Sequence, residues 1–396
     1  MIEVDVFVAG AGLAGSIAAL SYAKAGRKVL IADPINYDSA STFDYRTTAY
    51  LQPSKLFLEK IGVWAAIQDS AVPLEVMEII DASGGIHPGE IKIKKDFKSS
   101  EISELPFGWN VRNSLMRKSL KNLLVLQNNC EIINAESVVD FLSRDDIAYV
   151  KLSSGESVKA KLVIAADGRN SIVRKKAGIS VKTHRFGQKA LAFAVTHTTP
   201  HKNVSTEIHR SGGPFTLVPL PDHDGKPSSA VVWMEQGAKA KNLMDLENEK
   251  FESEMTERSC NVLGPLKLAS KRSLWPIISQ IADSIYSQRL ALIGETAHVV
   301  PPIGAQGLNM SLADIKVLSD LDEKYSNDLG SAHTLKKYHN SRIVDIRQRV
   351  FGVSALNQIS ISQNKAVQNV RAFGLENLFQ LPVIKNSAMK LGMGYR

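Results

Sequence analysis

The feature that most restricts this chain is Gly10-Ala11-Gly12-Leu13-Ala14-Gly15. It follows a strand-like, mainly apolar stretch at 4–9, opens a helical pattern reaching about residue 25, and precedes an apolar run at 29–32. Strand, tight turn, helix and strand within about 30 residues make a βαβ unit. The first glycine permits the tight turn, the second lets backbone approach a pyrophosphate, and the third lets helix pack on strand. The free N–H groups at the helix start, at the positive end of its dipole, then face phosphate. Asp33 ends the second strand 18 residues after Gly15, where a carboxylate takes ribose hydroxyls. The unit predicts a dinucleotide-binding, Rossmann-like α/β domain. The glycines alone do not distinguish one dinucleotide from another.

At 396 residues the chain exceeds one compact core, so two lobes are expected. Residues 54–67 read as a helix with Ser54 as N-cap, and 112–126 as another. Residues 148–152 and 157–160 read as a hairpin, and Gly84-Gly85 as a turn. The all-apolar run at 162–166 suits a strand buried on both faces, as does 290–293. Between about 183 and 278, strand-like stretches alternate with Gly/Pro/Asp turns, which predicts a mainly antiparallel lobe inserted into the first. Most of 307–394 reads as helix. The expected organisation is a discontinuous dinucleotide domain at 1–75, 106–182 and 279–335. A β-sheet substrate domain takes 76–105 and 183–278, and a helical segment takes 336–396.

Composition narrows the function classes. No run of about 18 uncharged apolar residues appears, so no membrane span is expected. Glu3 and Asp5 stand where a secretory leader needs cations, and the two cysteines, Cys130 and Cys260, lie far apart with no CxxC partner. A reducing, cytoplasmic setting without a disulfide or structural metal is the expectation. The net charge is +8, but no Lys/Arg block or nucleic-acid motif accompanies it, so nucleic acid is not expected as a partner. Residues 340–396 hold eight Lys/Arg and two acids, a net +6. This tail reads first as a solvated helical face and second as a surface for anionic lipid, a peripheral contact on the inner face of a membrane.

Three further motifs carry chemistry. In Asp44-Tyr45-Arg46, Arg46 either neutralises a pyrophosphate or covers the cofactor edge, or simply pairs with Asp44. In Val163-Ile164-Ala165-Ala166-Asp167-Gly168, a buried strand delivers Asp167 and Gly168 at its carboxyl end, where open α/β sheets bind ligands. Asp167 is expected to accept bonds from the phosphate-loop amides. Ser171 would cap the next helix, or Arg169 and Arg174 would contact phosphate. In Gly294-Glu295-Thr296-Ala297-His298, a strand ends at an acid, and a loop through Pro302 and Gly304-Ala305-Gln306-Gly307-Leu308-Asn309 enters a helix start. Glu295 suits a sugar-alcohol hydroxyl, and the helix start suits developing negative charge. Asn309 would bond a ring edge. His298 reads either as a satisfied strand-end histidine or as a proton-handling group.

Taken together, these motifs resemble the group A flavoprotein aromatic hydroxylases over nearly the whole chain. Within that group the chain looks most like the ubiquinone-biosynthesis hydroxylases. That likeness rests on His298-x-x-Pro301-Pro302-Ile303-Gly304-Ala305-Gln306-Gly307-Leu308-Asn309, on Tyr338-x-x-x-Arg342, and on the ending Leu391-Gly392-Met393-Gly394. The resemblance implies FAD held by Gly10, Gly12, Leu13, Ala14, Gly15, Asp33, Arg46, Arg112, Asp167, Gly168, Glu295, Pro302 and residues 304–309. No second GxGxxG follows a strand, so NAD(P)H would be a transient electron donor or be replaced by another donor. The resemblance also implies ring hydroxylation of a prenylated phenol or quinone precursor by oxygen, through a flavin C4a-hydroperoxide, with His298 and Pro302 beside the flavin. Assembly with other ubiquinone-biosynthesis proteins is compatible with it. The chain departs from the family at Glu295, where Asp is usual, and glycine and alanine are exchanged at Gly304-Ala305 relative to many members.

Two rivals stand beside this reading. A flavin-dependent halogenase would carry a WxWxIP motif, and Trp64, Trp109, Trp233 and Trp275 stand in none. A reductase acting on prenyl chains belongs with it. The second rival is a flavoprotein-like subunit of a quinone-biosynthesis assembly that no longer catalyses, which Glu295 keeps open.

Overall fold

The computed structural model describes residues 1–35, 46–83, 90–210, 212–325, 328–362, 364, 367–368, 374 and 381–394. Asp44, Tyr45 and the expected Gly84-Gly85 turn lie outside them, as do Lys365, Arg371 and Arg396 of the basic tail.

The first layer is an eight-stranded sheet. Its main order is Tyr286–Ser287, Leu290–Leu292, Ser157–Ala165, Ile2–Ala9, Val29–Asp33 and Cys130–Asn134. The four central pairings are parallel. Phe7, Val8, Leu30, Val163 and Ile164 are fully buried, because helices cover both faces of a parallel sheet. Ala148–Leu152 folds antiparallel on Ser157–Ala165 as the expected hairpin. The helix Leu13–Lys24 buries every residue from Gly15 to Ala23.

The second layer is a nine-stranded, mainly antiparallel sheet built on Val181–Thr196, Val204–Arg210, Gly213–His223, Lys226–Gln236 and Ser273–Ala282. Val76–Asp81 joins it in parallel beside Val204–Arg210, and Ile93–Lys98 forms its edge. Its own core gathers Leu191, Phe193, Phe215, Trp233, Phe251 and Met255. The expected boundary at 278 falls inside Ser273–Ala282. His298–Val299, expected in the dinucleotide domain, pairs with that strand, so the two layers are stitched together there.

A third sheet has no counterpart in the sequence reading. Thr47–Leu51 and Val72–Leu74 flank Gly108–Arg112. The helix expected at 54–67 runs instead over Gln52–Lys60. Pro53 occupies its first turn and Ser54 lies inside it, so Ser54 is not the N-cap. The helices Gln306–Lys324, Ala332–Ile361 and Pro382–Met393 follow in the last part of the chain. No helix among the described residues is long and apolar enough to cross a membrane.

Candidate functional site

The register of the first sheet brings the motif-bearing strand ends side by side. Ala9 is paired with Ala32 on one side and Ala165 on the other, and Ala165 with Leu292. The backbone continues these contacts past the strands: Gly10 N–H donates to Ala32 O at 2.8 Å, and Ile293 N–H donates to Ala165 O at 3.0 Å. Gly12, Asp33, Asp167 and Glu295 therefore leave one carboxyl edge of one sheet, where open α/β folds hold ligands.

The glycines of this edge divide into two kinds. A methyl group on Gly10 would lie 2.6 Å from Ala166 O, and one on Gly15 would lie 1.9 Å from Gly10 O, so these two let the chain pack on itself. A methyl group on Gly12, Gly168 or Gly307 would meet no protein atom within 4 Å. Those three leave room over the same edge. Two helix starts also point there without a side-chain cap among the described residues. Neither Leu13–Lys24 nor Gln306–Lys324 has a side-chain cap or an acid in its first turn. They approach each other around Gly294, where an added methyl would lie 2.9 Å from Ser311 Oγ and 3.6 Å from Ala14 Cβ. Uncapped N–H groups beside an open cradle suit an anionic ligand with an extended backbone.

The acids have more specific tasks than their motifs suggested. Asp33 accepts from Ala11 N–H at 2.6 Å through Oδ2 and from Ile35 N–H at 2.8 Å through Oδ1, so it braces the phosphate loop. That bracing was expected of Asp167. Asp167 instead accepts from Ile172 N–H at 2.9 Å and Val173 N–H at 3.4 Å and secures its own following helix. Ser171 caps that helix through Arg174 N–H at 2.9 Å, as expected. Arg174 is buried, and its guanidinium donates to Thr296 O and Arg169 O, which makes it a brace rather than a phosphate ligand. Gly168 N–H reaches Thr296 Oγ1 at 3.2 Å, joining the second and third strand ends. Glu295 is half-exposed and pairs with Arg169 at 3.3 Å.

Asn309 is tied to the neighbouring backbone. Its amide nitrogen donates to Ala49 O and Ala305 O at 2.7 and 2.6 Å, and its oxygen accepts from Leu51 N–H at 3.0 Å. Its two amide N–H groups and one lone pair of its oxygen are engaged with backbone, so it sets the entry of the helix, and the oxygen keeps a second lone pair. Pro302, Gly304 and Gly307 are exposed on that loop, while Leu308 is half-buried. Arg46 lies over the Trp275 ring, its guanidinium carbon 4.6 Å from the ring centre, so a residue of the first lobe reaches the second sheet. The alternative pairing with Asp44 lies outside the described residues. Arg112 stands at the N-cap position of the helix Asn113–Val125.

Ala305 adopts a left-handed backbone with φ 56°. A side chain there costs about 1 kcal/mol. Ala305→Gly is expected to stabilise the fold by about 0.5–1 kcal/mol. An unchanged or lower thermal midpoint would show that the turn carries no such strain.

His298 is buried at the centre of a charge network that the sequence did not reveal. Its Nε2 lies 2.7 Å from Asp314 Oδ2. Arg342 Nε donates to Asp314 Oδ1 at 2.8 Å, and Arg342 Nη1 donates to Asp345 at 2.6 Å. Arg349 continues the chain to Asp345 at 3.0 Å. Tyr338 donates to Leu292 O at 2.7 Å, at the end of a site strand. The Tyr338-x-x-x-Arg342 motif thus pins a helix to the strand edge. Arg342 and Arg349, with Lys385 paired to Glu101, place three cations of the basic tail in internal pairs. For these three the expectation of a solvated basic face is corrected, while Arg347 and Lys390 are exposed.

Burial opposes the Asp314 carboxylate, but His298 and Arg342 outweigh it and hold the carboxyl below its ordinary value of 3.8. Asp345 is likewise lowered against burial by Arg342 and Arg349. A lowered folded-state value means the unfolded chain takes up protons first. The network's contribution is therefore full above about pH 4 and lost as pH falls through the folded values. Urea unfolding is expected to show stability falling steeply below pH 4 in the wild type and less steeply in Asp314→Asn. Equal slopes would remove the network from that role.

Comparison with known proteins supplies the context for this geometry. A family model described as an FAD binding domain matches residues 3–350. Ubiquinone hydroxylase UbiL of Rhodospirillum rubrum is 28% identical over 98% of this chain and 89% of its own length. The 3-demethoxyubiquinol 3-hydroxylase of Escherichia coli is 25% identical, with 98% of each chain covered. Among solved structures, p-nitrophenol 4-monooxygenase PnpA from Pseudomonas putida DLL-E4 superposes with a TM-score of 0.81 at 20% identity over the whole of both chains. The flavin-dependent monooxygenase PieE, solved in complex with FAD and substrate, gives a TM-score of 0.74 at 16% identity over 99% of this chain and 71% of its own. The open glycine cradle, the two uncapped helix starts and Asp33 at one strand edge fit the same group, and the chain belongs to the FAD binding domain family, with FAD as its cofactor.

Proposed function

We propose that this chain is an FAD-dependent monooxygenase that hydroxylates the aromatic ring of a prenylated phenol or quinone precursor in ubiquinone biosynthesis. The single observation that carries the reading is the convergence of the four strand ends that deliver Gly12, Asp33, Asp167 and Glu295 on one sheet edge. Near-full-length similarity to named ubiquinone hydroxylases supports the substrate class.

In this reading the N–H groups of Leu13 and Ala14 face the pyrophosphate and Gly12 gives it room. Asp33 meets the adenosine ribose with the lone pairs left beside its Ala11 bond. Gly168 lets backbone approach, and Glu295 meets the ribityl chain. The start of Gln306–Lys324 lies by the flavin ring, where its dipole favours negative charge. Bound FAD supplies the activation of oxygen, with NAD(P)H as the transient donor. The rest of the protein orients the ring and excludes water. Ala190, Met234 and Ile277 of the second sheet pack with Ile303 and Val353 in a buried apolar cluster beside the loop that leads into Gln306–Lys324.

A peripheral lipid contact belongs to the same proposal. Phe351 and Val383 are 78% and 79% exposed, with Arg347 and Lys390 also on the exterior. Flotation with anionic liposomes at low salt would test it, and no association would remove it.

Glu295→Asp shortens the side chain toward the residue usual in the family and is expected to tighten FAD by about threefold, or about 0.7 kcal/mol. An unchanged dissociation constant would take Glu295 away from the ribityl chain. The function itself is tested by quinone profiling of a strain lacking this protein. The expected result is accumulation of an under-hydroxylated prenylated precursor, cleared by the wild-type gene. A normal quinone profile would overturn the proposal. A purified protein that stays colourless with added FAD would favour the non-catalytic subunit, which the Glu295–Arg169 pair keeps in view. Turnover dependent on halide would favour the halogenase relative.

A further inference from the structure

The last helix touches the flavin-facing loop through the side chains of Gln306, which the resemblance sets among the FAD-holding residues, and Arg349. Gln306 Nε2 donates to Gly304 O at 2.8 Å and to Gly392 O at 2.9 Å. Gln306 Oε1 accepts from Arg349 Nη1 at 2.5 Å. Arg349 also donates to Leu391 O at 3.4 Å and to Asp345 at 3.0 Å. One amide and one guanidinium thus hold the Gly304-Ala305 turn and the final carbonyls of Pro382–Met393 together. Those carbonyls are the negative end of a helix dipole and suit a cation. At its other end the same helix is anchored elsewhere. Lys385, though buried, pairs with Glu101 at 2.7 Å and lies over Phe97, beside the edge strand Ile93–Lys98 of the second sheet.

The turn held in this way needs holding. Gly304 and Ala305 are consecutive left-handed residues, with φ 63° and 56°. They precede a helix whose start has no side-chain cap. Such a turn persists where its surroundings fix it.

We infer that Gln306 and Arg349 are positioning residues that transmit the seat of the last helix to the Gly304-Ala305 turn. The segment 381–394 is then a working part of the cofactor site, and a change at its Glu101 anchor reaches the turn. The inference rests on the reading that this turn faces the flavin, but the mechanical link stands on the contacts themselves.

The link is tested in the full-length protein with FAD added, by hydrogen exchange in peptides covering 301–310 and 386–394. Arg349→Met and Gln306→Met are expected to speed exchange about tenfold in both segments. Arg349→Lys, which keeps one donor, is expected to fall between. Lys385→Met lies on the far anchor and is expected to speed 301–310 as well. Exchange that quickens only next to each substitution, or nowhere, overturns the inference. Global acceleration with a collapsed thermal midpoint does so too, because it marks a merely structural role.

A second readout is the peroxide released per NAD(P)H oxidised. Arg349→Met is expected to raise it severalfold while the FAD dissociation constant stays within about threefold. Unchanged coupling would also overturn the inference. A wild type that binds FAD but hydroxylates nothing would sink the functional proposal alone, since the exchange result would still decide the link.

Discussion

Gly12→Val is expected to abolish FAD binding while leaving the fold intact. A methyl carbon added at Gly12 would meet no described protein atom within 4 Å, so the backbone itself leaves room for a side chain. In the proposed site that space belongs to the pyrophosphate, and an isopropyl group there separates the phosphates from the N–H groups of the helix start. The loss is expected to reach at least about 100-fold in dissociation constant, or about 2.8 kcal/mol. The apo-protein's thermal midpoint should move little. Wild type should gain stability from added FAD, by about 2.7 kcal/mol at 100 times the dissociation constant, and the variant should not. Gly15→Val is the control. Its added carbon would lie 1.9 Å from Gly10 O, so it should damage the fold itself. A Gly12→Val protein that still took up FAD tightly would place the pyrophosphate elsewhere.

Asp314→Ala is expected to produce the largest loss of stability. Asp314 is fully buried, and its carboxylate meets His298 and Arg342 and accepts from Gly294 N–H at 3.3 Å. Removing it leaves the buried Arg342 guanidinium with Asp345 as its remaining carboxylate partner and strips His298 of its Nε2 partner. Breaking a buried pair by removing one member costs about 3–5 kcal/mol, a large share of a marginal fold's stability. Denaturant unfolding should show this loss. It should also show that Arg342→Met, which removes the stranded charge, restores part of it in the double variant. Additive losses from the two substitutions would mean that the pair does not act as a unit.

These two residues show what the sequence made legible. Gly12 could be read because its task is local: strand, turn and helix follow one another within a few residues, and the period of the pattern changes at the glycines. Asp33 could be read as a site acid for the same reason, although its bond to Ala11 needed the register of Val29–Asp33 against Ile2–Ala9. Asp314 could not. It sits within an ordinary helical pattern, 16 residues from His298 and 28 from Arg342, and only the packing of two helices on a strand end brings the three together. Tyr338-x-x-x-Arg342 marked a family without revealing a partner. Arg174 misled in the opposite direction. A polar residue near a ligand edge invites a ligand role, yet its guanidinium is engaged by backbone carbonyls of neighbouring segments. The third sheet escaped notice because its strands hold three to five residues and one contains Pro73, which hides an edge strand. The basic tail was read as surface because charge alone does not show that Arg342 and Lys385 turn inward.

The account stands on four strand-end segments that together hold one dinucleotide. Titration of the purified apo-protein with FAD, followed by quenching of flavin fluorescence, addresses this directly. One saturable site per chain, lost in Gly12→Val, is the predicted result. Fluorescence that rises linearly with added FAD, with no break at any ratio, would contradict it.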